Sequence, residues 1–128
     1  MPEFKKFLLL GVAFAALSVL FGAFGAHGLK SMGTEANLVN SFETAARYQF
    51  YHALGLMIIY LLSHCKLSAK LLNYSGWAMA LGTLLFSGSL YIYVLSGIKA
   101  MAMITPVGGL LMLAAWTLLF FAAIRTDT

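Results

Sequence analysis

The chain has 128 residues, 62 % hydrophobic and 9 % charged, where soluble proteins average about 45–50 % and 25 %. One domain fits that length, but so much apolar surface cannot be hidden in so small a soluble core, and a bilayer must act as the solvent. The net charge of +4 comes from Lys and Arg scattered between apolar runs, with no basic block or recognition motif, which argues against nucleic acid as a partner.

The head carries Lys5 and Lys6 and leads into the apolar run Phe7–Ala26. A charged start before an apolar stretch also describes a signal peptide, with Ala23-Phe24-Gly25-Ala26 as a cleavage site. The run is long for that, and about 20 apolar residues span the hydrocarbon core, so a first transmembrane helix is predicted over 7–26. Gly11, Ala15, Ser18, Gly22 and Gly25 recur at helical spacing and form one stripe of small residues. Such a stripe lets a second helix backbone approach closely in lipid, and helix packing is its expected role.

Gly28–Thr34 reads as a turn, with glycines at 28 and 33. Ala36–Arg47 is amphipathic, with Leu38, Val39 and Phe42 set among Asn37, Asn40, Ser41 and Glu43. It is expected to form an interfacial extension of the second helix, whose span is predicted over 45–62. A polar turn follows with Lys66, Lys70 and the single cysteine, Cys65, which excludes an internal disulfide. The third span is predicted over 72–95, with Gly76, Ala80, Thr83 and Ser87 on another small stripe and Tyr91 one turn beyond. Thr105-Pro106 reads as a helix N-cap followed by an N1 proline, opening a fourth span over 106–124. The fold class expected is therefore an all-α, four-helix transmembrane bundle.

An even number of spans places Lys5, Lys6, Lys66, Lys70 and Arg125 on one side and Lys30, Arg47 and Lys99 on the other. That bias predicts both termini in the cytoplasm, and a multi-pass protein of the inner membrane.

The chemistry concentrates where the second helix enters the membrane. Glu43 and Arg47 are i,i+4 neighbours and are expected to pair, while Tyr48, Gln49 and His52 gather on the other side of the helix. Ionisable groups at a span are costly unless partnered, which makes them candidates for a site. His27 closes the first helix at the same end and is expected to share a pocket with His52. Tyr91 and Thr105 arrive there from the third and fourth helices. In the bland alternative Glu43 and Arg47 neutralise each other, and His52 donates to a backbone carbonyl. Haem has no signature of its own here and a metal ion would want more ligands, so no cofactor is expected. Walker loop, nucleophile elbow and HExxH are all missing from the sequence, which supports no enzyme class.

Gly22-Ala23-Phe24-Gly25-Ala26-His27-Gly28-Leu29 and Phe42-Glu43-Thr44-Ala45-x-Arg47-Tyr48-Gln49-x-Tyr51-His52-Ala53-Leu54 resemble the small membrane-protein family known as domain of unknown function 423, also uncharacterised protein family 0382. Gly82-x-x-Leu85-Phe86-Ser87-Gly88-Ser89-Leu90-Tyr91 and Thr105-Pro106-x-Gly108-Gly109 are similar to the same family's pattern, in the same order. Phe42 departs from it, standing where many members carry tryptophan. The resemblance implies a multi-pass bacterial inner-membrane protein and brings no activity with it. From the residues, a non-enzymatic membrane component is expected. Its pocket would be formed by His27, Glu43, Arg47, Tyr48, Gln49, His52, Tyr91 and Thr105, and would bind a lipid, a quinone or a partner subunit. The alternative is a small-molecule or lipid transporter or flippase, working as a homo-oligomer through its small-residue stripes.

Overall fold

A computed structural model of the chain describes residues 2–125; both chain ends, on which the cytoplasmic assignment of the termini falls, lie outside them. Four long helices follow one another: α1 Lys5–Ala23, α2 Ala36–Leu62, α3 Ala69–Ser96 and α4 Thr105–Ile124. α1 continues without a break through a π-helical segment, Phe24–Leu29. The described residues contain no strand.

Local chemistry explains the boundaries. Gly33 ends the first helical unit at φ 74°, and Gly97 ends α3 at φ 75°, conformations that favour glycine. Ser68 caps α3 by accepting from the Leu71 amide. Thr105 differs from its predicted role. It lies inside the first turn of α4, with Ile104 at the N-cap position, and its hydroxyl reaches Ser89 on α3 at 2.6 Å instead of capping. The segment before it, Lys99–Met103, is a short 3-10 turn.

Successive helices run antiparallel. A Cβ placed on Gly25 would meet Phe42, one on Gly22 would meet Ala46, and one on Gly11 would lie 2.8 Å from the Ala53 carbonyl. The α1 stripe therefore faces α2 along its length, and α2 occupies the same depths as α1. Between α3 and α4 the approach is closer still. A Cβ on Gly108 would sit 2.3 Å from the Phe86 amide nitrogen, and one on Gly82 would sit 2.9 Å from that of Met112. Gly76 makes room for the Phe7 ring of α1, and Gly55 for Met79 of α3. Ala80 and Ala115 are buried in the same core.

The bundle is apolar outside and mixed inside. Leu9, Val19, Leu20, Leu61, Leu110, Leu113 and Phe120 are all at least 60 % exposed, whereas Ser18, Gln49, His52, Ser75, Thr83, Ser87 and Ser89 are buried. Water would penalise that arrangement heavily, and hydrocarbon favours it. The stretches Lys5–Leu29, Ala69–Ser96 and Lys99–Ile124 are long and apolar enough to cross a membrane. The 27-residue α2 has the length but a more polar first half, and it is flanked by α1 on one side and α3 on the other.

Candidate functional site

The polar residues of α2 separate into three groups, each facing a different neighbour. Gln49 is 5 % exposed and points into the seam between α1 and α3. Its Nε2 donates to the Phe14 carbonyl at 2.8 Å, and its Oε1 accepts from the Tyr91 hydroxyl at 2.7 Å. One carboxamide thus ties three helices together. The Tyr91 ring is held between Phe21 and Phe42, with centroids at 4.7 and 4.9 Å.

His52 faces the opposite way, towards α4. Its Nδ1 lies 2.7 Å from the Tyr48 carbonyl, an acceptor, so Nδ1 must carry the proton. Nε2 is then the acceptor, and the Trp116 indole N–H donates to it at 2.9 Å. The two partners together define a neutral Nδ1–H tautomer with both ring nitrogens satisfied. Trp116 adds an edge-on ring contact at 5.7 Å. The bond to a backbone carbonyl was one of the two readings open for His52, and Trp116 is the partner that was not foreseen.

Glu43 and Arg47 form the third group. The expected ion pair is not made: Arg47 Nη2 donates to Thr44 Oγ1 at 3.1 Å, and among the described residues the Glu43 carboxylate takes no partner. A long cationic side chain near a span turns towards the membrane surface, and for Arg47 that direction is back along α2, over Thr44. Both residues line a groove between α1 and α2, floored by Ser18, Gly22 and Ala46 and walled by Val19, Phe50 and Tyr51, with a volume of about 370 Å³.

The single pocket expected from sequence is therefore divided. His27 is exposed, in the π-helical segment, at the level where Gly25 meets Phe42. His52 lies beside Ala53, at the level of Gly11. Eleven residues of α2, Phe42 to Ala53, or about 16 Å, separate those levels, and the two histidines share no site. Tyr48 is 41 % exposed and stacks against Phe86 and Tyr51 at the bundle surface. Thr105 is occupied with Ser89.

Two more hydroxyls follow the logic of Gln49. Ser87 donates to the Ala45 carbonyl and Ser75 to the Ala115 carbonyl, both at 2.7 Å and both across helices, while Ser18 bonds back to Ala15 within α1. Thr83 does not follow it. Its Oγ1 is buried without a partner, beside a small cavity of about 140 Å³ between α1 and α3 that Gln49, Ser87 and Tyr91 also line. Among the described residues, no three His, Cys, Asp or Glu side chains gather as metal ligands would.

Apolar faces turned outward, polar groups tied to backbone carbonyls inside and close glycine crossings define a multi-pass α-helical membrane protein. The chain belongs to the family described as protein of unknown function DUF423, whose pattern matches residues 21–109. It is 41 % identical over 121 residues to the UPF0382 membrane protein SH2409 of Staphylococcus haemolyticus, across 94 % of this chain and 97 % of that one. The UPF0382 membrane protein SAB0533 of Staphylococcus aureus is 40 % identical with the same coverage. The UPF0382 membrane protein YwdK of Bacillus subtilis is 38 % identical, over 94 % of this chain and 98 % of its own. No solved structure matches the chain.

Proposed function

We propose that this protein is a non-enzymatic component of the inner membrane that holds a phospholipid in the groove between α1 and α2. One observation carries the reading. The groove has an apolar floor and walls along the small-residue stripe, and the unpaired Glu43 and Arg47 stand at its rim. An acyl chain lying over Ser18, Gly22 and Ala46 exchanges lipid contacts for protein contacts at little cost. What makes one lipid stay is a polar anchor in a medium of low dielectric, and the Arg47 guanidinium supplies it. His52, Gln49 and Tyr91 are structural in this reading, because their hydrogen-bonding capacity is engaged within the bundle.

The test fills the groove without touching the fold. A Cβ on Gly22 meets only Ala46, at 3.9 Å, so a larger side chain can extend into the open space. Gly22→Leu is expected to leave thermal stability in mild detergent within a few degrees of the parent while removing phospholipid that co-purifies with it. Equal lipid content in parent and variant, measured by native mass spectrometry, would overturn the proposal.

A further inference from the structure

The rim of the groove carries one charge of each sign, and the two do not neutralise each other. Glu43 and Arg47 have the i,i+4 spacing at which opposite charges on a helix usually meet, yet Arg47 is directed to Thr44. Glu43 is held in the α1–α2 seam, with its Cγ 3.4 Å from where a Cβ of Gly25 would be. An uncompensated carboxylate and guanidinium beside an apolar groove ask for a ligand that also has both signs.

Their order along the membrane normal narrows the ligand further. Side chains on a helix lean towards its N-terminus, and Arg47 springs from one turn deeper than Glu43 and reaches back to Thr44. One helical turn, about 6 Å, separates their origins. In a phospholipid the phosphate is attached next to the glycerol and the amine lies beyond it, nearer water. Arg47 is thus placed for the phosphate and Glu43 for an ammonium joined to it through a short link.

We propose that the groove selects zwitterionic phospholipids with a primary amine, of the phosphatidylethanolamine class. This rests on the lipid-holding role of the groove and specifies its ligand. The phosphate accepts hydrogen bonds from Arg47, and the ammonium donates to the Glu43 carboxylate. A quaternary ammonium, as in phosphatidylcholine, offers Glu43 no N–H. The headgroup of phosphatidylglycerol satisfies Arg47 through its phosphate but offers Glu43 only neutral glycerol hydroxyls and no cation.

The full-length protein in mild detergent is equilibrated with equal amounts of phosphatidylethanolamine, phosphatidylglycerol and phosphatidylcholine of matched acyl chains, and bound lipid is read by native mass spectrometry. The parent is expected to retain phosphatidylethanolamine over both others. Glu43→Gln should lower the phosphatidylethanolamine-to-phosphatidylglycerol ratio about tenfold, the loss of one charge-assisted hydrogen bond, while keeping total lipid near the parental level. Arg47→Gln should lower retention of all three. Glu43→Asp, which keeps the charge, should retain part of the preference and controls for a folding effect of the Gln variant. Soluble phosphoethanolamine should not displace bound lipid; displacement would identify the headgroup alone as the ligand and overturn the proposal. Lipid retained without preference, or a preference that survives Glu43→Gln, overturns the headgroup assignment and leaves the lipid-holding role standing. A parent that retains no lipid removes both.

Discussion

The His52–Trp116 bond is the interaction on which the role of His52 turns, and a double-mutant cycle measures it. His52→Leu keeps bulk but removes the acceptor, leaving the Trp116 indole N–H without its partner in a medium with no water to replace it. The Tyr48 carbonyl also loses the imidazole N–H, which costs less, because position 52 still supplies the backbone N–H of the helix. Interhelical hydrogen bonds in membrane proteins average about 0.6 kcal/mol and reach about 1.7. An edge-on aromatic contact adds about 0.5–1.5 kcal/mol. Together these give about 1–3 kcal/mol for His52→Leu and a similar loss for Trp116→Phe, with a coupling of about 0.5–1.5 kcal/mol between them. His52→Gln retains a donor and an acceptor and should cost less than about 1 kcal/mol. Unfolding in mixed micelles of mild detergent and dodecyl sulfate supplies the free energies. Trp116 fluorescence, read in a Trp77→Phe background, reports directly on the indole. Additive losses, or a His52→Leu variant as stable as the parent, would refute the bond and the structural role built on it.

The tightest helix crossing makes a second, sharper expectation. Gly108→Ala drives a Cβ to 2.3 Å from the Phe86 nitrogen and should cost at least about 1–3 kcal/mol, whereas Gly109→Ala finds only the Phe86 ring at 3.7 Å and should be near neutral, both read by thermal unfolding in detergent. Thr83→Val replaces a buried, unpartnered hydroxyl with a methyl and should stabilise by about 1 kcal/mol; a loss of stability instead would mean that the hydroxyl is satisfied by something held in the adjoining cavity. A reporter fused after Thr128 should read cytoplasmic, following the charge bias of Lys5, Lys6, Lys66 and Lys70, and a periplasmic reading would overturn that topology.

The four helices were legible because lipid imposes a simple rule on sequence: long apolar stretches separated by short polar turns. The small residues were legible for a related reason, since Gly11, Gly22 and Gly25 have no polar purpose to compete with packing. The site was harder. With the span predicted from residue 45, His52 stood near its entrance, whereas it is four turns along α2, beside Ala53 at the level of Gly11. That error in depth is what joined His52 to His27. Glu43 and Arg47 have the spacing of an ion pair, and spacing carries no information on which way a long side chain turns. The acceptor role of His52 Nε2 is unreadable without knowing that Trp116, 64 residues away, faces it. Gly82 and Gly108 were visible as family-like motifs but not as a crossing, because the crossing is a property of two helices.

A backbone carbonyl in a helix keeps a second lone pair after its i+4 bond is made, and this bundle uses that capacity repeatedly. Phe14, Ala45 and Ala115 each accept a side-chain bond from a neighbouring helix in this way. The polar residues inside the bundle are thereby spent on holding helices together, which explains how an apolar chain with so few charges orders its four helices in one arrangement. The same accounting separates structure from function. Gln49, His52, Ser75 and Ser87 have their partners within the protein, so little remains in them to bind anything else. Glu43 makes no side-chain bond among the described residues and Arg47 makes one, to Thr44, and both border the α1–α2 groove on the outer face of the bundle, which the proposed lipid would occupy. In the proposed lipid-holding role, a bundle tied together from within by these bonds leaves the rim charges of the groove free to meet a headgroup.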